Sequence, residues 1–164
     1  MPVVLAVVLS AGAGAAPSPQ TRICQAIAAA DHLNIAGTCP PLVQPQSFTI
    51  TASAPAQFKA TVAYTIIDTP QHARAAWQDE AIDGAETILP AVGPVPGLSH
   101  PSHLYFAPGQ GEAEAATLVG TVIVDVVLVP VVSGNVSASL KSEIGVVVRS
   151  AAGRVQAAEL RALG

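Results

Sequence analysis

Charge is scarce in this sequence. Of 164 residues only 11% are Asp, Glu, Lys or Arg, against about a quarter in an ordinary globular domain. The seven Lys and Arg are scattered along the chain, so there is no basic patch or stripe for nucleic acid or anionic lipid, and no nucleic-acid partner is expected. Aromatic residues make up 4%, with Trp77 the single tryptophan. There are two cysteines, Cys24 and Cys39. Neither stands in a C-x-x-C pair or has a histidine at zinc-finger spacing, which argues against thiol redox chemistry and a zinc ribbon. The longest apolar run, residues 118–132, contains Asp125 and Pro130. It falls short of the ~20 residues a bilayer requires, so no transmembrane span is expected. No G-x-S-x-G elbow is present to seat a serine nucleophile. Gly109-Gln110-Gly111 lacks the Lys and the following Ser or Thr of a phosphate loop.

Ala, Val, Gly and Pro are plentiful, and 51% of the residues are hydrophobic. The net charge is −4. Residues 3–9 form a short apolar run followed by the small-residue tract 10–16 and then Pro17. This is the pattern of a signal segment with a small-x-small cleavage site, although no basic residue precedes it. The alternative is an N-terminal strand of a cytosolic fold. The export reading divides the chain into a signal segment, residues 1–16, and one α+β domain, residues 17–164, outside the cytoplasm. In that compartment an even cysteine count reads as a bridge, and Cys24 with Cys39 are its two ends.

Hydrophobic periodicity gives the elements. Residues 21–34 are Ala-rich with Ile23, Ile27 and Ala30 at helical spacing, and Gly37 is placed to end the helix. Phe48, Ile50 and Ala52 alternate with polar neighbours, as do Phe58, Ala60, Val62, Tyr64 and Ile66, with Pro55 between them. That is a hairpin with one wet face. Thr69-Pro70 is a helix start, a hydroxyl cap followed by a proline whose missing N–H costs nothing there. The helix should run to about Ile82 with Ala73, Trp77 and Ala81 inward. Residues 87–101 are rich in Pro and Gly and read as a connection. Residues 104–107 read as a short strand, 109–116 as a loop and 118–129 as one long central strand, apolar on both faces. Ile144, Val148, Ala151, Val155, Ala158 and Ala162 step along a final helix that starts between residues 137 and 142. The fold expected is therefore α+β, an antiparallel sheet with helices on one face, in the order α-β-β-α-β-β-α.

Few residues point to chemistry. His100 and His103, in Ser99-His100-Pro101-Ser102-His103, are the only neighbouring histidines, and with His72 or Asp68 they are the weak candidates for a metal site. Against this, they flank Pro101 in a loop and no third ligand is fixed. Ser99, His100 and Asp125 supply the residue types of a hydrolase but no motif that orders them. Asp125 is unusual among valines, since a carboxylate there needs a partner or a solvent-facing position at a strand edge. Its functional alternative is a ligand contact in a cleft. Trp77 and Tyr105 would line an apolar pocket with it, or Trp77 would simply fill the core beside its small neighbours.

This layout resembles small exported domains of actinobacteria, often lipoproteins of unknown function. The likeness covers residues 22–163: an early Cys on an Ala-rich helix, a hairpin, a helix with an aromatic, a Pro-Gly segment, an apolar strand and an Ala-rich last helix. It implies an extracytoplasmic domain of the cell envelope and transfers no site residue, and the lipid-attachment Cys is missing. The expectation is a binding or accessory domain with no catalytic residues and no cofactor, taking a small apolar ligand or an envelope protein. The alternatives are a small hydrolase or metalloenzyme using the His100 and His103 segment, and a purely structural envelope protein.

Overall fold

The computed structural model describes residues 16–30, 42–51, 57–83, 89–107, 111–131 and 137–163. The expected signal segment up to Ala15, the Gly37 cap, Cys39 and the Pro55 turn lie outside them.

Helix α1 (Pro19–Ala30) is followed by strands β1 (Leu42–Thr51) and β2 (Gln57–Ile66) and helix α2 (Pro70–Asp83). Then come β3 (Ala91–Gly93), β4 (Ser102–Phe106), β5 (Ala113–Val119), β6 (Val122–Pro130) and α3 (Ser137–Leu163). The six strands form one antiparallel sheet in the order β1-β2-β6-β5-β4-β3. The α+β class expected from the sequence is the class observed.

Both early helices start on the same chemistry. The Ser18 hydroxyl accepts a hydrogen bond from the Thr21 N–H at 3.1 Å, and the Thr69 hydroxyl accepts one from the His72 N–H at 3.1 Å. Each cap is followed by a proline at the first helical position. The two starts are tied together where the Gln20 side chain donates to the Asp68 carbonyl at 2.7 Å.

Alternation along the strands separates two faces. Phe58, Ala60, Val62, Tyr64 and Ile66 of β2 point to the same side as Val122, Val124, Val126 and Leu128 of β6, and all are buried. That side is covered by Ile23, Cys24 and Ile27 of α1 and by a continuous stripe of α3 from Leu140 to Ala162. Each buried Val, Leu or Ile contributes about 1.5–3 kcal/mol through removal of apolar surface from water. The core therefore rests mainly between the sheet and α3. The expected stripe of the last helix, Ile144 through Ala162, is buried throughout.

Several expectations change, and the order becomes α-β-β-α-β-β-β-β-α, with β3 inside the expected connection. Residues 118–129 are not one strand: the chain reverses at Gly120 and Thr121, with Val119 paired to Val122. Gly120 has φ +55°, a left-handed conformation that glycine adopts without penalty. Residues 113–116, expected in a loop, are the start of β5. Finally, α1 and α3 share one face as expected, whereas α2 lies on the other, where Ala73 meets Leu118 and Ile123 in a second, smaller cluster flanked by Ile67, Ala76 and Trp77.

The β5–β6 turn is held from across the sheet. Glu159 of α3 accepts a hydrogen bond from the Thr121 N–H at 2.8 Å and one from the Thr121 hydroxyl at 3.2 Å. A side chain at position 120 would collide with that carboxylate.

Candidate functional site: the sheet face beneath the second helix

The face of the sheet that α2 covers at one end carries most of the chemistry-bearing residues. Strand register arranges them in rows. Ala63 of β2, Asp125 of β6, Ala116 of β5 and His103 of β4 are successive cross-strand neighbours. The next row is Thr61, Val127, Glu114 and Tyr105. Because opposed residues in an antiparallel pair point to the same side, these eight side chains share one face.

Asp125 is half-buried on a strand with neighbours on both sides. The expected edge position is thus corrected: β6 lies third in the sheet, placed there by pairing with β2. Ala63 and Ala116 flank the carboxylate with a single methyl group each. At ~4.8 Å between strands, Asp125 and His103 stand about 10 Å apart at the level of the backbone.

The rings form a continuous series. Trp77, reaching from α2, stacks on His103 with centroids 4.9 Å apart and planes 15° apart. His103 in turn meets Tyr105 at 6.1 Å and 42°. Tyr105 is 6% exposed, while Trp77 and His103 are half-buried. The packing is the offset and tilted kind that aromatic quadrupoles favour. His103 is therefore a strand residue rather than the loop residue expected from Pro101. The signal that reveals it is the alternation of His103 and Tyr105 against Leu104 and Phe106.

Glu114 beside Tyr105 has its carboxyl pushed above the usual range, first by burial, which disfavours the charged form, and second by repulsion from Glu112. At the start of α2, Asp68 behaves oppositely. The hydrogen bond from His72 at 2.7 Å, the largest cause, holds its carboxyl below the usual range. That pair is exposed and follows the helix turn, so it belongs to the helix start and not to the row of rings.

Of the sequence-predicted site residues, Trp77, Tyr105 and Asp125 lie on one face, joined there by His103. In the loop ahead of β4, His100 is half-buried and Ser99 exposed. Asp125 is three strands from the sheet edge formed by β3. Among the described residues no group of three His, Cys, Asp or Glu is placed to hold a metal ion, and the weak metal candidates His100 and His103 gain no third ligand from Asp68 and His72. Also among the described residues, no helix is long and apolar enough to cross a membrane. Cys24 is fully buried on α1.

No family model, no curated protein and no solved structure matches the chain.

Proposed function

We propose that the protein is a binding or accessory domain of the cell envelope, not an enzyme, and that it receives a small, largely apolar ligand on the sheet face beside α2. The observation that carries this reading is the ring series Trp77–His103–Tyr105, with His103 in the same row as Asp125 and the two alanines. Aromatic and apolar lining with a few placed polar groups is the usual make-up of a small-molecule site. Export rests on the apolar run and small-residue tract at the N-terminus. A Cys24–Cys39 bridge fits that compartment and is supported by the burial of Cys24 and by the lack of a free cysteine among the described residues.

The single tryptophan makes the reading testable. Emission from Trp77 is followed while a long-chain fatty acid, a long-chain alcohol and p-cresol are titrated in separately. Saturable change with one of them, lost in Ala63→Leu, which fills the row beside Asp125, is the expected outcome. Absence of saturable change in emission, together with unmoved amide resonances at residues 103, 105, 116 and 125, overturns it.

A further inference from the structure

We propose that the outward face of α3 packs against the same face of a second copy of the chain, antiparallel, with Gly153 at the crossing. This surface lies on the opposite side of the sheet from the ring series and does not depend on it.

One side of α3 is committed to the core: Leu140, Ile144, Ala151, Val155, Ala158 and Ala162 are all buried. The other side carries Val146, Gly153 and Leu160. Their spacing of seven positions keeps neighbours within about 20° of one line along the helix, and that line faces away from the core. Val146 is 50% exposed and Leu160 is 70% exposed, the most exposed large hydrophobic side chain among the described residues. Ser150 and Ala157, also exposed, stand beside the line between them.

The fold of the single chain does not call for a glycine at 153. A methyl group added there would meet nothing within 4 Å, whereas one at Gly145 would crowd the Arg149 guanidinium at 3.1 Å. Arg149 donates to the Pro96 carbonyl at 2.8 Å, so the packing of that loop on α3 accounts for Gly145. Inside a helix, glycine is destabilising relative to alanine. What the missing side chain at 153 permits is the close approach of another backbone.

The charges select a second copy and its direction. With a two-fold axis at Gly153, Val146 faces Leu160 of the other copy, and Ser150 lies beside Ala157 of the other copy. Glu143 and Arg161 sit on the same flank of the line, each about 80° from it. The axis brings Glu143 of one copy to within about 3 Å, measured along the helices, of Arg161 of the other, and does so twice. Neither side chain has an ion-pair or hydrogen-bond partner among the described residues. A parallel pair would instead set Glu143 against Glu143, Arg149 against Arg149 and Arg161 against Arg161, and like charges in register oppose it.

The experiment is sedimentation of the full chain over a wide range of concentration, with circular dichroism to establish that each variant is folded. The wild type is expected to dimerise. Gly153→Gln should weaken association at least about tenfold while raising the melting temperature of the dilute monomer, because the fold leaves room for the side chain. Glu143→Arg and Arg161→Glu should each weaken association by about three- to tenfold, and the two together in one chain should restore it. Should Gly153→Gln fail to fold, the charge reversals decide. A monomeric wild type overturns the proposal. So do a dimer that Gly153→Gln leaves unchanged, a folded double reversal as weak as the single ones, and assemblies that grow beyond two. A monomer that binds phosphatidylglycerol vesicles, with binding lost in Leu160→Gln, also overturns it and assigns the face to a lipid surface.

Discussion

Replacing Gly120 with alanine probes the contact between the β5–β6 turn and α3, and its cost has two separable parts. The first is local: at φ +55° a side chain crowds its own backbone, at about 1–2 kcal/mol. The second is remote, because the new methyl occupies the place of the Glu159 carboxylate. That group must swing away and give up the Thr121 N–H at 2.8 Å and the hydroxyl at 3.2 Å. Hydrogen bonds to a charged group contribute about 1.5–3 kcal/mol net. Gly120→Ala is therefore expected to cost ~2.5–5 kcal/mol in the native background. Glu159→Ala removes only the second part, about 1.5–3 kcal/mol. In a chain that has already lost Glu159, the alanine at 120 should cost just its local ~1–2 kcal/mol. Urea unfolding of the four forms, followed by circular dichroism, closes the cycle, and the expected coupling is about 1.5–3 kcal/mol. In melting temperature each kcal/mol corresponds to roughly 2–4 °C at this size. Equal cost of Gly120→Ala in both backgrounds, within ~0.5 kcal/mol, would refute the clamp and leave only backbone strain.

Two further outcomes follow from the same kind of reasoning. Glu114 has its folded-state pKa raised above the ordinary 4.5 by burial and by Glu112, so its carboxylate costs nothing at pH below 4.5 and its full penalty is reached once pH exceeds the raised value. Glu114→Gln should thus raise the melting temperature at neutral pH, with the gain vanishing in acid; an equal gain at both ends contradicts the assignment. The proposed Cys24–Cys39 bridge closes a loop of fifteen positions, and its reduction should cost about 3 kcal/mol by the loop-entropy relation. Mass spectrometry should show alkylation of both cysteines only after reduction, and labelling without reductant rules the bridge out.

What was legible in the sequence was whatever chemistry acts over a few residues. Thr69-Pro70 marks the start of α2 because the cap bonds a donor three positions on, and Ser18-Pro19 carries the same signal two positions before the expected start of α1. The inward stripe of α3 was legible because a helix repeats its face every three or four residues. The β5–β6 hairpin was not, for a physical reason. Its strands are apolar on both faces, inward against α3 and outward under α2, so the period of two that marks a strand is erased around residues 118–123. Only the two-residue turn at Gly120 breaks the run. For the candidate site, residue types singled out Trp77, Tyr105 and Asp125, but their shared face depends on β6 pairing with β2 and on β4 pairing with β5. The pairing of β6 with β2 is a distant contact that no local pattern encodes, and with the hairpin unread Asp125 had no neighbours to be placed beside. Glu114 carries no signal in the sequence because residues 109–116 read as loop, and His103, a metal candidate by residue type, gains its place in the row only through the pairing of β4 with β5.

The strand order has a consequence for how the chain reaches its native state. The first hairpin, β1–β2, is completed only when β6 arrives to lie against β2, joining Ile66 to Val122 and Phe58 to Pro130. These partners are separated by 56 to 72 positions, so the entropy of closing a long loop must be met before the pairing returns any energy. An isolated hairpin is marginal in water. In a chain made from its N-terminus, the edge of β2 that takes β6 therefore stays without that partner until residues 122–130 have been made.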